Sequence, residues 1–79
     1  MEIPEGARLA GTNQVIRAAR QNQLICVYLA DDADTALRER LLAVCAEHAV
    51  EVRRFPSKQE LGRRAGIAKH CAVLGIVRA

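Results

Sequence analysis

The sequence predicts an α/β domain with helices on both sides of a small sheet. Three observations carry that prediction. Leu24–Ala30 (Leu-Ile-Cys-Val-Tyr-Leu-Ala) and residues 71–77 are nearly continuous apolar runs, the pattern of strands buried on both faces. Leu37, Leu41, Val44, Cys45 and His48 recur at i, i+4, i+7, i+8 and i+11, which is one stripe of a helix. Strand-like and helix-like segments alternate along the chain, so the helices serve as crossovers over the sheet.

Each element has its own local reason. Residues 1–6, with Pro4, read as a lead-in, and residues 7–10 as a brief edge strand. Residues 12–21 form a helix whose apolar side is Val15, Ile16, Ala18 and Ala19. Leu24–Ala30 is the central strand. Asp31, Asp32 and Asp34 then place acid ahead of a helix over residues 35–48, where the macrodipole favours it. Residues 50–55 make a third strand. Ser57-x-x-Glu60 is a capping box that opens a third helix, which Gly66 ends. Residues 68–70 form a polar loop before the last strand, residues 71–77. Right-handed crossovers predict that most neighbouring strands are parallel, with the short first strand free to run either way.

Length and composition narrow the function classes. Seventy-nine residues, 51% of them hydrophobic, make one domain over residues 1–79 with a real but small core. One Tyr, one Phe and no Trp force that core to be aliphatic and leave no aromatic platform for stacking bases. Twelve basic against nine acidic residues give a net charge of +3, a mild bias toward anionic partners. Most of the basic residues are Arg, whose fork suits phosphate or guanine better than an ammonium does. Three Cys is an odd number and no secretory signal is recognisable, which predicts reduced thiols in a cytoplasmic protein. Cys26 and Cys45 fall on apolar faces and read as core. Cys45 and His48 share a helix face, but a structural zinc site needs four ligands, so no metal and no cofactor is expected. No apolar run reaches the roughly 18 residues that span a membrane.

The most informative stretch is Gly11-Thr12-Asn13-Gln14, followed by Arg17. Gly11 or Thr12 supplies the turn or N-cap. Asn13 and Arg17 are four residues apart and Gln14 and Arg17 three, so all three share one side of the helix. The free N–H groups of the first turn add partial positive charge at the same place. Amide side chains bond base edges directionally, and an Arg fork fits guanine or phosphate. The plain alternative is a solvated helix start, since Asn and Thr open many helices and Gln and Arg are common on wet faces.

Three blocks decide between these readings. They are Gly11-Thr12-Asn13-Gln14-x-x-Arg17, then Leu29-Ala30-Asp31-Asp32-Ala33-Asp34, then the run from Ser57 to Ile67 (Ser-Lys-Gln-Glu-Leu-Gly-Arg-Arg-Ala-Gly-Ile). In this order and spacing they resemble the L-seven-Ae-type ribosomal protein family, in its short bacterial form, across nearly the whole chain. The resemblance implies a three-layer α/β/α sandwich with a four-stranded mixed sheet. It also implies a monomeric, non-catalytic protein that binds kink-turn RNA with tandem sheared G·A pairs, on the ribosome or another ribonucleoprotein. Such a bend opens the groove, so that side chains reach guanine edges hidden in regular A-form RNA.

Carried over by position, the resemblance makes Asn13, Gln14 and Arg17 the base-reading set and assigns Gly11 and Thr12 to the turn beneath it. Asp34 matches an acidic position that accepts from a guanine in some members, although it equally fits a plain helix N-cap. Lys58 matches a basic residue near the phosphate backbone. Ala68, Lys69, His70 and Cys71 match a loop that packs on a nucleotide and influences selectivity. The chain departs from the pattern in three places. Gln14 stands where Glu is frequent, keeping the carbonyl acceptor without the charge. Thr35 stands where Pro is frequent. Lys69-His70 makes a usually apolar loop polar and cationic. The rival classes are a protein-interaction module of the same superfamily and an enzyme using Cys71 and His70. The retained RNA-reading residues count against the first. Side-chain alternation in a strand, which points neighbours to opposite faces, counts against the second.

Overall fold

The computed structural model describes residues 8–66 and 70–78. The elements run β1 (Arg8–Ala10), α1 (Thr12–Arg20), β2 (Leu24–Ala30), α2 (Thr35–Glu47), β3 (Glu51–Phe55), α3 (Lys58–Arg64) and β4 (Val73–Val77). They form the expected three-layer α/β/α arrangement around one mixed four-stranded sheet of order β1-β4-β2-β3.

One expectation fails. Most neighbouring strands are not parallel: only β2 and β3 pair that way, while β4 lies antiparallel between β1 and β2. The run between α3 and β4 closes back on the start of α3, where the Cys71 N–H donates to the Lys58 carbonyl at 3.1 Å. The chain therefore re-enters the sheet from the end at which β3 left it. β1, β2 and β3 still point the same way, as right-handed crossovers require, and α1 and α2 fall on one face and pack together.

This topology gathers the functional surface. β1, β2 and β3 finish, and β4 begins, at one end of the sheet. All three helices therefore start at that end, and the segment before β4 joins them.

Caps set the helix boundaries more tightly than periodicity could. α1 stops at Arg20 rather than residue 21, and α2 at Glu47 rather than residue 48, because Gln21 and His48 are C-caps. β3 starts at Glu51 rather than residue 50, because the Val50 N–H closes the end of α2 on the Cys45 carbonyl at 2.8 Å. The Gln23 N–H closes α1 on Ala18 at 3.0 Å in the same way. β4 begins at Val73, not residue 71, because the Cys71 N–H is spent on the Lys58 carbonyl at 3.1 Å.

Each helix is followed by a left-handed residue: Asn22 (φ 56°), Ala49 (φ 56°) and Gly66 (φ 74°). Asn and Gly tolerate that conformation and Ala does not, at about 1–2 kcal/mol. Ala49→Gly is therefore expected to stabilise the protein by about 0.5–1 kcal/mol, read as a higher urea midpoint with an unchanged m-value.

The capping box forms by half. The Glu60 N–H donates to Ser57 Oγ at 3.1 Å, but the Glu60 carboxylate turns to Arg63 (2.7 Å) and Arg64 (3.1 Å). Arg64 first and Arg63 second hold the Glu60 carboxyl below its usual pKa. The stabilisation from this cluster is thus full above the ordinary glutamate range and is lost as pH falls through the lowered pKa.

The core is aliphatic as expected, with Tyr28 and Phe55 in an edge contact at 5.5 Å. Ile25 is the exception in the central strand, exposed where the β2–β4 register shifts. At Gly75 a Cβ would stand 3.1 Å from Leu24 and 3.3 Å from Val15, so the missing side chain lets α1 lie close on the sheet. Cys26, Cys45 and Cys71 are free and buried, and burial pushes each thiol pKa up. Among the described residues no cluster of three or more His, Cys, Asp or Glu could hold a metal, and no helix is long and apolar enough to cross a membrane.

Candidate nucleic-acid interface

The site is built where the helices start. α1 opens at Gly11, whose backbone (φ 117°, ψ 132°) lies in a region that favours glycine. No atom of the described residues lies within 4 Å of where a Cβ would stand, and the constraint on Gly11 is its positive φ. Gly11→Ala is expected to cost about 1–3 kcal/mol of stability and to tilt the start of α1. A chemical melt paired with an RNA titration of the same variant checks both effects.

Side-chain caps are distributed unequally. α2 is capped by Asp34, whose carboxylate accepts from the Leu37 N–H at 3.4 Å. α3 is capped by Ser57, and its first N–H, that of Lys58, donates to Asp32 Oδ1 at 2.7 Å. α1 has no side-chain cap and no acidic residue in its first turn. Among the described residues, α1 is the one helix of the three without a side-chain cap, which leaves its first-turn N–H groups open to an outside acceptor.

Around that open end stand the residues expected from the sequence. Asn13, Gln14 and Arg17 are exposed and Thr12 is half-buried. Asn13 and Arg17 line one groove between α1 and α2; Gln14, 100° further round the helix, does not line it. Gly11 and Thr12 share a shallow pocket of about 270 Å³ with His70, Cys71 and Ala72, so the segment before β4 does meet α1. Thr12 and Asn13 also face Ala36, Leu37 and Arg40 across a second depression. Lys58 is tied by its backbone to both neighbours, donating to Asp32 and accepting from Cys71. Asp34 is exposed but carries the α2 cap. Ala68 and Lys69 lie outside the described residues.

Two contributions were not foreseen. Asp32 fixes the start of α3, a role hidden in the sequence because its partner is 26 positions away. Arg40 reaches the α1–α2 groove from the middle of α2. Its position next to the Leu37–Leu41 stripe was the only available signal, and periodicity cannot say which helix that flank meets.

The surrounding charge is sorted. Arg53 pairs with Glu51 and donates to the Tyr28 hydroxyl at 2.9 Å. Arg54 pairs with Asp31 at 2.8 Å, and Arg63 and Arg64 with Glu60. Arg38 donates to the Asp31 carbonyl and Arg8 to the Ala65 carbonyl. The guanidinium groups of Arg17, Arg20 and Arg40 make no hydrogen bond or ion pair with any described residue.

Comparison with known proteins agrees with the architecture. The chain is similar to an RNA-binding protein, YbxF, of Geobacillus stearothermophilus, at 33% identity over 76 residues, covering 96% of this chain and 93% of that one. It is 30% identical to a protein of unknown function from Bacillus halodurans, superposing with a TM-score of 0.83 over 91% of this chain and 72% of that one. It shares its fold with a 15.5 kD RNA-binding protein of Giardia lamblia, with a TM-score of 0.85 at 24% identity, over 92% of this chain and 62% of the other. Residues 5–79 match the family described as ribosomal protein L7Ae/L30e/S12e/Gadd45, and the chain belongs to that family.

Proposed function

We propose that this protein binds structured RNA, without catalysis, and recognises the kink-turn with its tandem sheared G·A pairs. The observation that carries the reading is the α1 N-terminus, which has no side-chain cap among the described residues and bears exposed Asn13, Gln14 and Arg17, the Arg17 guanidinium having no partner among those residues. Exposed amides and a fork at an open helix end present only donors and directional acceptors, which match a guanine edge and a nearby phosphate. The RNA-binding relatives support the same class of partner.

In this reading Asn13 and Arg17 bond the guanine O6 and N7 atoms, Gln14 offers a carbonyl to a base N–H, and Gly11 and Thr12 let the RNA approach the helix end. His70, with Ala68 and Lys69, flanks a nucleotide displaced by the bend. Lys58 stands toward the backbone, and Asp34 combines its cap with an acceptor role. The protein acts as a single domain and a monomer on a ribosomal or other cytoplasmic RNA.

The test is a calorimetric titration of a simple kink-turn duplex against the same RNA with its G·A pairs changed to Watson–Crick pairs. The kink-turn should bind clearly more tightly, with a salt slope corresponding to about two to five phosphates. Equal affinity for the two RNAs would overturn the proposal.

A further inference from the structure

The sorted arginines define a second surface. Arg17, Arg20 and Arg40, with Asn13, Ile16 and Gln21, line an open groove of about 430 Å³ between α1 and α2. It runs from the base-reading end of α1 toward its C-terminus, away from the sheet end where the helices start. Every arginine on β3 and α3 has an acidic partner, yet none of these three has one among the described residues. The macrodipole accounts for Arg17 and Arg20 in the last turn of α1. It does not account for Arg40, which lies in the middle of α2. Arg17 and Arg20 are also neighbours at i, i+3, where like charges destabilise a helix. Packing and local electrostatics therefore leave this cluster unexplained, and a bound anion would neutralise it.

We propose that the α1–α2 groove carries the phosphodiester backbone of one RNA strand leaving the kinked bases, with Arg20 and Arg40 as its phosphate contacts. This rests on the RNA-binding reading above and extends it. From Asn13 to Arg20 the helix rises about 10 Å. That is the span of only a few nucleotides, so a strand held at Asn13 and Arg17 passes Arg20 close by. Phosphate contacts carry no sequence information. The groove accordingly adds affinity and register and leaves discrimination to Asn13, Gln14 and Arg17.

The experiment compares three proteins: wild type, the double variant Arg20→Gln/Arg40→Gln, and the double variant Arg63→Gln/Arg64→Gln. The last removes the same net charge from α3. Each is titrated with the kink-turn RNA and with its Watson–Crick counterpart at several salt concentrations, and each is melted.

The groove variant should lose about tenfold in affinity for both RNAs at low salt, and its salt slope should shrink by about 1.4–1.8. Its preference between the RNAs should match wild type and its melting midpoint should not fall. The α3 variant should keep the wild-type slope. An unchanged slope in the groove variant, or an equal drop in both variants, overturns the groove as a phosphate path while leaving kink-turn recognition intact. A wild type without preference overturns kink-turn recognition instead. In that case the slope measured on the plain duplex still decides the groove: a drop specific to Arg20 and Arg40 supports it, and no drop overturns it.

Discussion

Arg17→Ala is expected to weaken kink-turn binding by about 1–3 kcal/mol, the range for losing a bidentate base contact. Arg17 is exposed, stands about one turn into the one helix whose N-terminus is uncapped, and has no partner among the described residues. Its loss leaves no buried group unsatisfied, so the melting curve should barely move. The preference for kink-turn over duplex should shrink together with the affinity, because a base contact carries sequence information and a phosphate contact does not. Lys69→Ala should cost less and act mainly through the salt slope. Titrations of both variants alongside circular dichroism melts decide the matter. A wild-type Arg17→Ala beside an inactive Lys69→Ala would move recognition from α1 to the loop.

Leu61→Ala should have the largest effect on stability, about 2–5 kcal/mol. α3 has only seven residues, and Leu61 is its one large side chain wholly removed from solvent. The total for a domain of this size is only about 5–15 kcal/mol, so the loss is a large fraction of it. Each kcal/mol shifts the midpoint by about 4–8 °C. The loss should also reach the site. α3 carries Lys58, whose N–H holds the turn at Asp32 and whose carbonyl holds Cys71 beside His70. Thermal melts read the first effect, and RNA affinity measured well below the midpoint reads the second. A change under about 1 kcal/mol would mean that contacts other than Leu61 anchor α3.

The sequence by itself determined the existence, order and type of all seven elements. Leu24–Ala30 was bounded to the residue, because an unbroken apolar run between polar turns leaves the chain little choice. The helix ends drifted by one residue because the closing bonds, such as Val50 to Cys45, are made by residues just past the periodic pattern. The exposure of Asn13, Gln14 and Arg17 was legible too, since Val15, Ile16, Ala18 and Ala19 fix the buried side of α1 and leave them the other.

Tertiary structure decided what those residues face. That β4 runs antiparallel between β1 and β2 goes with the return of the chain to the start of α3, held by the Cys71 N–H on the Lys58 carbonyl, a contact between distant positions and not a local pattern. That single insertion brings His70 beside Gly11 and Thr12. The pairing of α1 with α2 likewise turned Arg40 from one more surface charge into the wall of a groove shared with Arg17 and Arg20. Local propensity acts over a few residues, whereas Lys58 and Asp32, or Arg40 and Arg17, meet only after the sheet has fixed where each helix starts.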